Sequence, residues 1–379
     1  MGTRYKIVIA GAGNIGRSTG LLLREKGDFG VDLFLGDARG DVAKEAVDWI
    51  QGGSEAQGAV EPFHLPPDGV SPEFEGILSG ADILLDCLPG HEAPRMARLA
   101  RAYDLHYANL TEYVEESKQV AAIAEGAPRG FILQTGLAPG YINILGLSLF
   151  QRFCQTWGVE AVDTLAMRVG ALTRRAVAPH FYGFTWSSIG VATEYVKPSI
   201  VVRNGERITQ PSLSGRATLL IDGVVYEEAL TSGGAADLPD ALAGRIRNLD
   251  YKTLRYPGHY AWVEGLLAKA PPDADPAEYL QREMEAVVPF VEDDRVVLYA
   301  AVEGKDARGV LHRIEDSRVI NPCRVGARTL KAIQATTSAG LAESARLLLT
   351  QNHKGVCLQS QIDPAHFMAG PFVTAVYHR

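Results

Sequence analysis

The sequence predicts an α/β fold in two parts: a Rossmann-type doubly wound parallel sheet, then an α+β domain with a mixed or antiparallel sheet. Three observations predict it. A short apolar run at residues 6–10 leads into Gly11-Ala12-Gly13-Asn14-Ile15-Gly16. Apolar runs then alternate with helical stretches to about residue 134, as in strands joined by crossover helices. Beyond about residue 160, Asn204-Gly205 and Asp222-Gly223 interrupt apolar stretches, and both dipeptides favour two-residue hairpin turns.

Taken in order, residues 6–10 read as a buried strand, 14–26 as a helix, and 31–35 as a second strand ending at Gly36-Asp37. A helical run follows at 41–51, then a turn-rich stretch through Pro66, Pro67 and Pro72. Residues 81–88 are a strand broken by Pro89-Gly90. Next come a helix at 92–103, a strand at 106–110, a helix at 114–125 and a strand at 130–134. In the second part, 164–169 reads as a strand, and 199–207 and 217–227 as hairpins. A third hairpin pairs 295–302 with 309–314. Residues 271–276 form a proline-rich surface turn. Residues 326–350 read as helical, with Gly340 a candidate break and Gly355 a candidate stop. The change of texture from about residue 160 separates a first α/β domain from a second domain.

The glycine run carries the first functional expectation. In a strand–turn–helix context, Gly11 makes the tight turn, Gly13 admits a pyrophosphate, and Gly16 lets helix and strand pack. Asn14 and Ile15 open the helix whose N-terminus attracts the phosphates. Asp37 follows Gly16 by 21 positions, where a carboxylate bonds the ribose hydroxyls. At about 4 Å and an effective dielectric of about 20, it would repel a 2′-phosphate by about 4 kcal/mol. The expected cofactor is therefore NAD, with NADP disfavoured. Arg39 stands close enough to touch a 2′-phosphate or stack on adenine. Leu88 and Pro89, beyond the fourth strand of such a sheet, would line the cofactor groove.

Composition narrows the partners. The net charge is −8, and no block of lysine and arginine stands out. Nucleic acid and anionic membranes are disfavoured. No stretch of 18 apolar residues occurs, and no secretory leader is recognised. Cys87, Cys154, Cys323 and Cys357 are scattered, with no CxxC. Reduced thiols, a cytoplasmic location and no structural metal are expected.

Three later segments combine polar and aromatic residues: 136–143, 181–188 and 250–259. Arg255 suits a carboxylate, because its planar fork grips both oxygens. Lys252, His259 and Tyr182 are candidate proton carriers, and Trp186 a candidate pocket wall.

On these segments the chain resembles the saccharopine dehydrogenase-like family, and most specifically its lysine 6-dehydrogenases. The motifs are the glycine fingerprint, Gly136-x-x-Pro139-Gly140-x-x-Asn143, Thr185-Trp186-Ser187, the run from Tyr251 to His259, and Ala332-Ile333-Gln334-Ala335-Thr336-Thr337. The resemblance implies that Thr185, Trp186, Thr253 and Arg255 line an amino-acid pocket. It also implies a dinucleotide domain at 1–135 to which the C-terminal segment 326–379 returns, a substrate and dimerisation domain at 136–325, and a homodimer paired through the substrate-domain sheet. Saccharopine reductases carry an Asp before the Pro-Gly, where this chain has Ala138. Residues 358–361 (Leu-Gln-Ser-Gln) replace an expected acidic position. The first departure favours the lysine-dehydrogenase side, NAD-dependent oxidation of an amino-acid C–N bond, and the second leaves the substrate open. The alternatives are a saccharopine- or carboxynorspermidine-type reductase joining an aldehyde to an amine, and a silent NAD-binding protein.

Overall fold

A computed structural model describes residues 3–378, which divide into two compact units. The first comprises residues up to 141, 323–330 and 334 onward; the second comprises 142–322 and 331–333.

The first unit is built from β1 (Arg4–Ala10), α1 (Asn14–Lys26), β2 (Gly30–Asp37), α2 (Gly40–Gln51), β3 (Val60–His64), α3 (Pro72–Ser79), β4 (Ile83–Asp86), α4 (Ala93–Ala102), β5 (His106–Asn109), α5 (Val114–Ala124) and β6 (Gly130–Ile132). Its sheet runs β3-β2-β1-β4-β5-β6, with a late strand outside β6, and every pair is parallel. The strand order reverses between β1 and β4, the switch point where dinucleotides bind in such folds. Ile7, Val8, Ile9, Leu33, Leu35, Leu84 and Leu85 are fully buried, as expected for a sheet covered on both faces.

Two elements flank the expected turn-rich stretch, which stays irregular over 65–71. Pro62 sits in β3, the edge strand, where a missing N–H costs no ladder bond. Pro72 opens α3 behind Ser71, whose hydroxyl accepts from the Phe74 N–H at 3.2 Å. Both prolines are compatible with regular structure at these positions.

The second unit contains most of α6 (Tyr141–Trp157), then β7 (Val162–Thr173), α7 (Ser188–Val196), β8 (Ser199–Arg203), β9 (Glu206–Gln210), β10 (Ala217–Ile221), β11 (Val224–Leu230), α8 (Leu238–Leu242), β12 (Ile246–Arg255), α9 (His259–Leu267), α10 (Pro276–Glu285), β13 (Asp294–Lys305) and β14 (Leu311–Ile320). Its sheet runs β10-β11-β12-β7-β13-β14, with β8 and β9 branching from β12. Only β12 and β7 pair in parallel, so the sheet is mixed. Asn204 and Gly205 (φ 53° and 84°) and Asp222 and Gly223 (φ 47° and 78°) take the left-handed turns that join two of these hairpins.

The chain closes with β15 (Cys323–Val325), β16 (Arg328–Leu330), α11 (Ala332–Thr350), β17 (Gly355–Cys357), α12 (Pro364–Met368) and α13 (Pro371–Tyr377). The expected helix at 326–350 begins at Ala332, because β15 and β16 form a hairpin first. The Asp294 carboxylate accepts from the N–H groups of Ala332 and Ile333 at 2.7 and 2.9 Å. This cap comes from a distant strand and leaves no local sequence mark. Gly340 does not break α11. A side chain there would meet the carbonyl oxygens of Thr135 and Gly136 at 2.5 Å, so glycine permits close packing. Gly355 opens β17, which adds to β6. Among the described residues no helix is long and apolar enough to cross a membrane.

Candidate active site

In the first unit, the glycine loop has the geometry of a dinucleotide cradle. Gly11 takes φ +95°, and a Cβ there would press on the Cys87 carbonyl at 2.8 Å. A Cβ at Gly16 would lie 1.9 Å from the Gly11 oxygen. At Gly13 a Cβ would meet nothing within 4 Å. Two glycines therefore serve packing, and the third leaves the space a phosphate needs. No side chain caps α1, and no acidic residue occupies its first turn, so its amides remain available to an anion. Asn14 accepts a hydrogen bond from Arg17, and the Ile15 carbonyl accepts one from Ser338.

Asp37 ends β2 beside this loop. Its carboxylate accepts from the N–H of Ala12 at 3.1 Å and of Arg39 at 3.0 Å. The Arg39 side chain is exposed, 3.9 Å from Asp41. Leu88 and Pro89 follow β4 where its backbone abuts Gly11. These residues suit NAD or NADP; when bound, the nicotinamide supplies hydride chemistry.

In the second unit, strand alternation decides which candidates meet. Side chains on β12 alternate between faces, so Thr253 and Arg255 share one face and Lys252 takes the other. Lys252 is not brought to the Arg255 cluster. Its ammonium lies 2.7 Å from Glu228 and donates to the Gly215 carbonyl at 2.5 Å. Glu228 also pairs with Arg168, and Asp250 joins Arg168 to Arg203. Lys252, read from the sequence as a candidate proton carrier, lies in this ion network.

On the opposite face, α7 and α9 supply the cluster around Arg255. Its guanidinium stands 4.8 Å from the Tyr182 ring centre and 5.5 Å from that of Tyr195. Arg255 is 1% exposed. Nε donates to the Tyr195 hydroxyl at 2.6 Å and Nη1 to the Leu254 carbonyl at 2.9 Å. No carboxylate among the described residues forms an ion pair with it. Burial opposes its charge, but Tyr195, Tyr182, Tyr260 and Glu194 more than offset this and raise its pKa.

His259 completes a directed chain. Its Nδ1 lies 2.7 Å from the His180 carbonyl, which can only accept, so Nδ1 carries the proton. Nε2 then accepts from the Tyr195 hydroxyl at 3.0 Å. Burial, with Arg255 nearby, lowers the His259 pKa to about 3, keeping the ring neutral. Gly258 makes the turn into α9 with φ +100°, and Phe181 packs where its Cβ would be. Thr253 and Thr231 share a hydrogen bond at 2.7 Å. The buried Thr185 hydroxyl has no partner among the described residues, while half-buried Trp186 packs against the Tyr182 and Tyr195 cluster.

Three contributors were missing from the sequence reading: Glu194, Tyr195 and His180. Glu194 is the only charged residue in Ser188–Val196, a signal that an acidic group is carried into an apolar interior. Burial raises its pKa to about 7 against the pull of Arg255.

Both units match family models. Residues 7–130 match the saccharopine dehydrogenase NADP binding domain, and 136–375 the saccharopine dehydrogenase C-terminal domain. Among solved structures, the chain is similar to apo saccharopine dehydrogenase (L-Glu forming) from Saccharomyces cerevisiae, with TM-score 0.75 and 14% identity over 98% of each chain. It is also similar to a homospermidine synthase from Legionella pneumophila in complex with NAD, with TM-score 0.67 and 13% identity over 99% of this chain and 92% of the other. At these identities the likenesses establish the fold, while the two family models cover almost the whole sequence. The chain belongs to the saccharopine dehydrogenase-like family of NAD(P)-binding oxidoreductases.

Proposed function

We propose that this protein is an NAD-dependent dehydrogenase that oxidises a C–N bond of an amino acid, in the manner of a lysine 6-dehydrogenase. The observation carrying the substrate class is Arg255: a buried guanidinium, oriented by Tyr195, with no ion-pair partner among the described residues. Such a charge is costly to bury alone, and a ligand carboxylate would offset that cost through a bidentate bond. Asp37 supports the choice of NAD, since its carboxylate disfavours a 2′-phosphate.

The residues divide the remaining work. Arg255 binds the carboxylate, and Tyr195 and His259 hold Arg255 in place. Tyr182 presents its ring to the guanidinium. Thr185 offers an unused hydroxyl to a polar group. Oxidation requires a neutral amine, whereas a lysine-type ammonium has a pKa of about 10.4. Neutral His259, with both nitrogens engaged, is a positioning residue, and Lys252 is committed to Glu228.

Absorbance of the reduced nicotinamide, followed with NAD and with NADP over a panel of amino acids and polyamines, tests this proposal. Reduction of NAD with an amino acid is the expected result. Turnover only when an aldehyde and an amine are supplied with the reduced cofactor would favour reductive joining. Tight cofactor binding with no turnover in either direction would indicate a silent binding protein.

A further inference from the structure

We propose that Glu194 receives the α-ammonium of an α-amino acid whose α-carboxylate is held by Arg255. The inference rests on the proposed function and names the group that reads the second charge of the substrate.

Glu194 is 7% exposed on α7, next to Tyr195. Among the described residues its carboxylate forms no hydrogen bond or ion pair, while the next residue of the same helix, Tyr195, bonds Arg255. A buried carboxyl on α7 and a buried guanidinium bonded to the next residue of that helix therefore form no ion pair with each other. Arg255 is already committed through Nε to Tyr195 and through Nη1 to the Leu254 carbonyl. Buried charges are costly unless paired. A zwitterionic α-amino acid carries both missing partners on one carbon. Its carboxylate complements Arg255, and its ammonium complements Glu194.

The assignment fixes the chemical class further. With the α-end held by two charges, the nitrogen left to react is on the side chain. The substrate is an α-amino acid bearing a distal amine. A role for Glu194 as base for the reacting amine is the competing possibility, and ligand truncation separates the two.

Calorimetric titration of the full-length protein with L-lysine, L-norleucine and 6-aminohexanoate provides the test. Norleucine keeps both α-groups, whereas 6-aminohexanoate lacks the α-amine. The wild-type protein is expected to bind lysine about tenfold or more tighter than 6-aminohexanoate, as one charged hydrogen bond is lost. Norleucine should stay closer to lysine. Glu194→Gln should weaken lysine about tenfold and leave 6-aminohexanoate within about twofold. Equal wild-type affinity for lysine and 6-aminohexanoate overturns the assignment without recourse to any variant. So does an equal loss for both ligands in Glu194→Gln. If lysine reduces NAD but either of these results is found, only the Glu194 role fails. If no amino acid binds or is turned over, the proposed function fails with it.

Discussion

The Tyr195 hydroxyl joins Arg255 to His259: it accepts from Arg255 Nε at 2.6 Å and donates to His259 Nε2 at 3.0 Å. The His180 carbonyl fixes the direction of that chain by requiring the proton on Nδ1. Tyr195→Phe should therefore leave Arg255 Nε and His259 Nε2 without this partner. The expected cost is about 1–3 kcal/mol of unfolding free energy, measured by denaturant titration. In the assay, KM for a carboxylate substrate should rise more than kcat falls, while NADH affinity stays unchanged.

Gly13 and Gly16 should respond oppositely to alanine. Gly13 has open space around its Cβ position, whereas Gly16 faces the Gly11 oxygen at 1.9 Å. Gly13→Ala should fold with a near-normal Tm and lose cofactor affinity, read by NADH fluorescence titration. Gly16→Ala should be destabilised by about 1–3 kcal/mol or more, because backbone must move. Equal Tm values for the two variants would contradict these assignments.

Asp37→Ser should shift cofactor choice towards NADP. The change removes the charge that opposes a 2′-phosphate while leaving one acceptor for the Ala12 or Arg39 N–H. The ratio of kcat/KM for NADP over NAD should rise by about tenfold or more. An unchanged ratio would assign Asp37 to holding the loop alone.

The contribution of three buried carboxyls to stability should fall as pH rises towards neutrality, against the opposite trend of His259, whose lowered pKa favours folding as pH rises. Burial is the largest cause raising Asp86, Glu194 and Glu343 to about 7. Tyr107 opposes the rise at Asp86, as Arg255 does at Glu194 and Arg346 at Glu343. Folded pKa values above the unfolded carboxyl range mean that the native state binds more protons between about pH 4 and 7. These groups' contribution is full below that window and lost through its upper end. Asp86→Asn should flatten the decline by up to about 1.4 kcal/mol per pH unit, measured by denaturant unfolding across the window.

The parts of this fold that local chemistry dictates were legible in the sequence. The glycine loop, the apolar strands around it and the two Asn-Gly and Asp-Gly turns each depend on neighbouring residues. Arg255 was legible as a candidate carboxylate anchor, and the structure places it in a buried cluster with Tyr195 and His259. Its separation from Lys252 was not legible: three positions apart on β12 puts them on opposite faces, and the strand had not been read there. Glu194 and Tyr195 were hidden because α7 was not read as a helix. The start of α11 was hidden for another reason: Asp294, which caps it, is 38 residues away in sequence.

The most direct measurement is KM for the amino-acid substrate in wild type and Arg255→Lys, by NAD reduction at saturating cofactor. Lysine keeps the charge but lacks the planar fork and the Nε bond to Tyr195. KM should rise about tenfold or more, equivalent to about 1.4 kcal/mol or more of lost binding, with kcat and NADH affinity much less affected. An unchanged KM for a carboxylate substrate would contradict Arg255 as its anchor.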